Sequence, residues 1–312
     1  MQQLETVLVP TDGSDGALAG AQWAVELAGR LGAALHVLSV VDTGDSAVID
    51  SVREPTRIVD ALETEAHDAT AAVETLAEAS AASPPVTTAV RRGSPHETIR
   101  SYASQQAADV IVMGTTGRSG LNRLLLGSTT ERVLRTTTRP LLAVPPGAGD
   151  REVAFDQLLL PTDGSQEADI AVDWGVWLAR ELDAMVHALY AVETSRLPTA
   201  TVPSELLDQL ETAGQTALER VRSRAKAAGV RSDGTVTSGP PARAILGAIE
   251  PKEADLVVMG TRGRHGVSQQ LLGSVTEHVV RHAPVAVLCV PVAANTADVA
   301  DAADEASSPL DQ

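Results

Sequence analysis

The chain has 312 residues, with 24 Lys and Arg against 41 Asp and Glu, a net charge of −17 and a sequence pI near 4.7. At roughly 100–200 residues per domain this length suggests two domains. Hydrophobic residues are 44% and aromatic residues only 2%, so the core has to be built from Ala, Val, Leu and Ile. The longest apolar runs, such as Val285 to Val292, are far shorter than the ~20 residues of a membrane-spanning helix. Met1 to Glu5 carries neither a basic nor an apolar leader segment, so no membrane association and a cytoplasmic location are expected. The single cysteine, Cys289, has no intramolecular partner, and no Cys/His cluster has metal-ligand spacing. Lysine occurs only as Lys226 and Lys252, and the acids are spread along the chain. This composition resembles that of proteins from salt-loving organisms, and without a basic stripe it argues against nucleic acid as a partner.

In chain order the first part alternates short β-branched runs with helical patterns. Strands are predicted at Thr6–Val9, Leu35–Val40, Thr87–Arg91, Val110–Met113 and Leu141–Val144, with helices at Gly16–Leu31, Thr56–Ala82, Pro95–Gln106 and Ser128–Thr137 between them. Ser14 suits an N-cap and Pro95 a first helical turn. Pro145 to Asp150 reads as a short linker. The pattern then starts again. Val7 to Ser14 (VLVPTDGS) returns as Leu158 to Ser165 (LLLPTDGS), His36 as His187, Val112 to Arg118 (VMGTTGR) as Val258 to Arg264 (VMGTRGR), Gly127-Ser128 as Gly273-Ser274, and Pro140 as Pro284. This is a duplicated domain, expected over 1–146 and 155–292. Residues 293–312, rich in Ala, Asp, Ser and Thr without a basic residue, are expected to be a disordered acidic tail.

Five strands and four helices per copy predict an α/β fold of two tandem doubly wound, five-stranded parallel-sheet domains, and in a strand order 3-2-1-4-5 strands one and four, which the repeated motifs follow, are neighbours. Ligands of such sheets bind beyond the carboxyl ends of the strands, where strand order reverses beside strand one. Both repeated motifs fall there. Pro10-Thr11-Asp12 and Pro161-Thr162-Asp163 end the first strand of each copy. Such an Asp serves a ribose, a divalent ion, a tight turn or a helix cap equally well. Met113-Gly114-x-x-Gly117 and Met259-Gly260-x-x-Gly263 follow strand four. After nine residues comes Gly127-Ser128-Thr129, or Gly273-Ser274-Val275, at the mouth of a helix. Glycines let backbone amides approach an anion, and a helix N-terminus adds donors and a favourable dipole. The composite reads as a phosphate cradle without the P-loop lysine, although glycines that merely permit tight turns would give the same letters. Arg118, Arg262 and Arg264, beside or within the glycine loops, suit phosphate neutralisation or solubility.

Both halves resemble the universal stress protein family, in the branch with the pattern G-x2-G-x9-G-[S/T]. The resemblance covers nearly the whole chain except linker and tail. It implies an adenine nucleotide alpha hydrolase-like fold that binds ATP, ADP or AMP, one per domain, with Mg2+ held mainly by the phosphates. It further implies that Asp12 and Asp163 lie near the ribose, and that Val40 or Val41, and Ala191 or Val192, lie at the adenine. Gly114, Gly117, Gly127, Ser128 and Thr129, like Gly260, Gly263, Gly273 and Ser274, would take ribose and phosphates. Val275 departs from the pattern by lacking the hydroxyl of Thr129. The resemblance also implies that the last strands of the two copies pair within one chain, and further dimerisation is compatible with it.

His36 and His187 read as packed, hydrogen-bonded strand residues, Trp23, Trp174 and Trp177 as helix packing, and Cys289 as a small buried hydrophobe. No nucleophile and base recur together and no water-positioning Gln or arginine finger is recognisable, so at most slow ATP hydrolysis is expected. The function expected is that of a nucleotide-binding stress-response regulator. An interaction scaffold with a structural nucleotide, and an α/β enzyme acting on an adenylated substrate, are the alternatives.

Overall fold

A computed structural model of the chain describes residues 4–43, 55–117, 126–150, 152–193, 204–263 and 272–292. The first half runs β1 (Thr6–Pro10), α1 (Asp15–Leu31), β2 (Ala34–Asp42), α2 (Pro55–Ala79), β3 (Val86–Gly93), α3 (Pro95–Gln105), β4 (Val110–Gly114), α4 (Ser128–Thr136) and β5 (Leu141–Val144). The second half runs β6 (Gln157–Pro161), α5 (Gln166–Glu181), β7 (Met185–Val192), α6 (Ser204–Ala227), β8 (Ser232–Ser238), α7 (Pro241–Ile249), β9 (Leu256–Gly260), α8 (Ser274–His282) and β10 (Ala286–Val290). Elements expected in the first half are all present within a few residues. The largest difference is the end of α2, which stops at Ala79 rather than Ala82 because the chain turns through Ser83 at φ 34° into Pro84-Pro85.

The strands form one sheet in the order β3-β2-β1-β4-β5-β10-β9-β6-β7-β8. Each half therefore has the order 3-2-1-4-5 with parallel neighbours, and the halves meet where β5 pairs with β10 antiparallel, Leu142 opposite Leu288. Both sheet faces are covered, which is why the strands read as continuous apolar runs rather than alternating ones. In β1, Val7 and Val9 face one core layer and Leu8 the other. The first layer lies under α1, α2, α5 and α6, and the second under α3, α4, α7 and α8. Each layer contains residues of both halves, so the core is continuous across the joint.

The aromatic-poor composition has a structural counterpart in close helix-on-sheet approach. Ala21, Ala24 and Ala28 of α1 are fully buried. At the start of that helix the backbone touches the sheet, since a β-carbon on Gly114 would lie 2.0 Å from the Gly16 carbonyl oxygen and one on Gly20 2.8 Å from the Gly114 nitrogen. The expected linker is docked rather than loose. Residues Ala148–Asp150 form a 3-10 turn against α1, with the Trp23 indole N–H donating to the Ala148 carbonyl at 3.4 Å. Phe155 just beyond is fully buried and meets the Trp23 ring edge-on at 5.2 Å between centroids.

His187 is buried, with Nδ1 at 2.9 Å from Asp233 Oδ1 and Nε2 at 2.8 Å from Gln157 Oε1. His36 has Nδ1 at 3.3 Å from the Tyr102 hydroxyl, and burial pushes its imidazole pKa down. Cys289 is fully buried, its thiol pKa pushed up to about 12 by burial. Trp174 and Trp177 are half-buried and packed edge-on against each other at 5.6 Å. No helix among the described residues is long and apolar enough to cross a membrane. The segment 293–312, expected to be an acidic tail, lies outside the described residues.

Candidate nucleotide site

Strand lengths create the site. β1 ends at Pro10 opposite Leu38, whereas β2 continues to Asp42 beside β3, and β4 continues past its pairing with β1 to Gly114. Beyond Pro10 the facing edges of β2 and β4 thus have no strand between them, and the sheet has a notch at its topological switch point. A cleft of about 450 Å³ opens there. It brings together Pro10, Thr11 and Asp12 at and after the end of β1, Val40 and Val41 on β2, Met113, Gly114 and Gly117 at and after β4, and Gly127, Ser128 and Thr129 at the start of α4. These are the residues proposed from sequence in the first half, apart from Arg118, which lies outside the described residues.

Local chemistry shapes each wall. Asp12 Oδ1 accepts from the Ser14 amide at 3.1 Å and its hydroxyl at 2.6 Å, while Ser14 Oγ accepts from the Ala17 amide as the N-cap of α1. Asp12 is therefore a turn former that also lines the cleft, two roles the sequence left open. Gly127 is the N-cap of α4 and makes no side-chain cap bond, its amide donating to the Thr115 carbonyl at 2.7 Å. The Thr130 hydroxyl donates to the Gly114 carbonyl at 2.8 Å, tying the first turn of α4 to the end of β4. A β-carbon on Gly117 would come no nearer than 3.5 Å to Asp12 Oδ2. Gly114 also lines the cleft but is required by the fold whether or not a ligand binds, because Gly16 occupies the space of its missing β-carbon.

The cleft also uses residues that the sequence reading did not single out: Ser39 and Asp42 of β2, Leu62, Glu65 and Ala66 of α2, Pro95 and Ile99 of α3, and Thr116 and Thr130. Asp42 directly follows the Val40-Val41 pair and was within reach of that reading. The α2 residues were not, because nothing in a helical pattern tells which turn stands at the strand ends.

The second copy repeats the frame. Asp163 Oδ1 accepts from the Ser165 amide at 2.9 Å and its hydroxyl at 2.6 Å, the Gly273 amide donates to the Thr261 carbonyl at 2.8 Å, and the Thr276 hydroxyl donates to the Gly260 carbonyl at 2.8 Å. Pro161, Thr162, Met259 and Gly260 hold the positions of Pro10, Thr11, Met113 and Gly114, and Ala191-Val192 end β7 as Val40-Val41 lie near the end of β2. Ser274 opens α8 and is exposed, while Val275 packs against the core layer beneath it. Arg264 lies outside the described residues.

The loop after β6 is held differently from its counterpart. Arg220 of α6 donates to the Gly164 carbonyl at 2.7 Å, and Arg224 makes a bidentate pair with Asp169 at 2.9 and 3.0 Å. The Arg224 guanidinium holds the Asp169 carboxyl below the ordinary carboxylate range. In the first half Gly13 instead faces the methyl of Ala69, 3.3 Å from where a β-carbon on the glycine would lie.

The sequence profile of the universal stress protein family matches residues 3–145 and again 154–291. The chain belongs to that family. Among universal stress proteins, MJ0531 of Methanocaldococcus jannaschii is 38% identical over 144 residues, 45% of this chain and 84% of that protein. One from Mycolicibacterium smegmatis is 30% identical over 210 residues, 66% of this chain and 68% of that protein. The crystal structure of a universal stress protein from Archaeoglobus fulgidus shares the fold with a TM-score of 0.69 at 22% identity, covering 93% of this chain and all of that one. A tandem universal stress protein with a doubly wound sheet in each half is therefore what the repeat and the strand order described.

Proposed function

We propose that the chain is an adenine-nucleotide-binding regulator of a cytoplasmic stress response, binding ATP, ADP or AMP through the cleft motif that each half carries. The observation that carries this reading is the convergence, in one cleft of the first half, of Asp12, the Gly114-x-x-Gly117 loop, the Gly127-Ser128-Thr129 helix start and the end of β2. A nucleotide fits that chemistry from end to end. The uncapped N-terminus of α4, with the Ser128 and Thr129 hydroxyls, suits phosphate oxygens. The Asp12 carboxylate, which lines the cleft between β1 and the glycine loop, suits ribose hydroxyls. The strand edge at Val40 and Val41, beyond the end of β1, offers backbone donors and acceptors to a base.

Mg2+ is proposed to arrive with the phosphates and to be held mainly by them. Among the described residues no group of three or more His, Cys, Asp or Glu gathers into a metal site. Slow hydrolysis at most is also part of the proposal, because the described residues lining the cleft include no Lys, Arg or Gln to stabilise a transferring phosphoryl group or orient water. Mass spectrometry of small molecules released by denaturing the purified chain tests the reading. An adenine nucleotide is the expected find. A chain that carries none and binds none on titration contradicts it.

A further inference from the structure

The two copies differ where their base-binding ends would lie. Ser39 stands three residues after His36 on β2, and Tyr190 stands three residues after His187 on β7. On the helix that crosses this strand, Ala66 stands three residues before buried Ala69, and Gly214 three residues before buried Ala217. Ser39 and Ala66 both line the first cleft. In the second copy the strand residue is far larger and the helix residue smaller. Tyr190 is buried, and a β-carbon on Gly214 would lie 2.7 Å from its ring carbon Cδ1 and 3.2 Å from Cε1. The ring therefore lies flush against the α6 backbone, in the space that corresponds to the opening between Ser39 and Ala66. Only glycine at 214 leaves room for it, which makes the pair a coupled change of shape.

Two further differences lie beside the turn after β6. A β-carbon on Gly263 would lie 2.6 Å from Asp163 Oδ2, against 3.5 Å for Gly117 and Asp12, so the second glycine loop sits closer over its carboxylate. Arg220 bonds the Gly164 carbonyl and ties the loop after β6 to α6, where the first half has the Gly13–Ala69 contact.

We infer that Tyr190, seated on Gly214, is a specificity-determining residue that closes the base end of the second cleft, so that the chain binds one adenine nucleotide in its first half and not a second with comparable affinity. The inference rests on the nucleotide reading above and narrows it from two equivalent sites to one. At the start of α8 the Gly273–Thr261 and Thr276–Gly260 bonds repeat those of the first copy, so the exclusion is assigned to the base end.

Calorimetric titration of the full chain with ATP and Mg2+ reads the stoichiometry. One equivalent is expected for the wild type and a second, within about tenfold in affinity, for the double variant Tyr190→Ser, Gly214→Ala. Because that variant alters a packed core, photolabelling of the wild type with an 8-azidoadenine nucleotide provides the second measurement, with label expected on peptides of residues 1–146 only. Two equal sites in the wild type, equal labelling of both halves, or a folded double variant that still binds one equivalent overturns the inference and leaves nucleotide binding standing. No binding by either protein overturns the nucleotide reading itself, and the inference with it.

Discussion

Leu142 of β5 stands opposite Leu288 of β10 at the antiparallel joint of the ten-stranded sheet, each within a strand that is buried along its length. Burying a leucine side chain stabilises by about 1.5–3 kcal/mol, and an isolated half would expose this strand as an apolar edge ready to pair with another chain. Halves expressed separately, as residues 1–150 and 152–292, are expected to dimerise through β5 or β10 or to aggregate. Light scattering that shows both as stable monomers contradicts this.

On the outer side of the same joint four charges from α4 and α8 form a closed ring. Arg135 lies 3.0 Å from Glu131 and 3.1 Å from Glu277, and Arg281 lies 3.1 Å from Glu131 and 3.0 Å from Glu277. The side chains keep 23 to 31% of their exposure, so each pair contributes no more than about 1 kcal/mol. A double-mutant cycle on Arg135 and Glu277, read by denaturant unfolding, is expected to give a coupling of about 0.5 kcal/mol that shrinks in molar salt. A coupling unchanged by salt is the contrary result.

The bidentate Arg224–Asp169 pair gives a pH dependence with a definite sign. Its depressed carboxyl pKa means that the folded state binds the proton less readily than the unfolded state. The stabilisation is therefore fully present above the ordinary Asp value of about 3.9, and it is lost as pH falls through the lower folded value. Asp169→Asn is expected to lower the melting temperature at pH 7 and to converge on the wild type in acid below about pH 4. A difference that persists unchanged at low pH would mean that packing, not charge, sets it.

Two glycines of one motif are expected to respond in opposite ways. Gly114→Ala drives a β-carbon into the Gly16 carbonyl, 2.0 Å away, and overpacking of this kind costs about 1–3 kcal/mol or more. It should lower stability whether or not ligand is present. Gly117→Ala has room, with Asp12 Oδ2 at 3.5 Å, and is expected to leave the melting temperature of the free protein within a degree or two while weakening nucleotide binding. Thermal melts of both variants with and without ATP separate the two effects.

The architecture was legible because duplication wrote each motif twice and because strands buried on both faces leave unbroken runs such as Leu158-Leu159-Leu160. The strand order 3-2-1-4-5 agrees with the two motifs lying after neighbouring strands one and four. What was not legible lay in contacts between distant segments. Gly114 read as an anion-approach glycine, and its packing against Gly16 appears only once α1 is laid on β4. The wall formed by Leu62, Glu65 and Ala66 depends on the pitch at which α2 crosses the strand ends, which no local pattern encodes. The exchange of Ser39 and Ala66 for Tyr190 and Gly214 is written plainly in the sequence, yet it acquires meaning only when strand and helix are brought together.

In the proposed function the first cleft binds an adenine nucleotide through the helix start at Gly127. Gly127 has φ −58° and a β-carbon there would lie 3.4 Å from the Thr115 carbonyl oxygen, so the backbone admits a side chain at this position, and valine crowds the phosphate end. Calorimetric titration of ATP with Mg2+ into the wild type and Gly127→Val, in molar KCl, decides whether it does. Saturable binding by the wild type and a loss of at least tenfold in affinity in a variant with an unchanged melting temperature is the predicted result. Equal affinity and stoichiometry in the two proteins would contradict it.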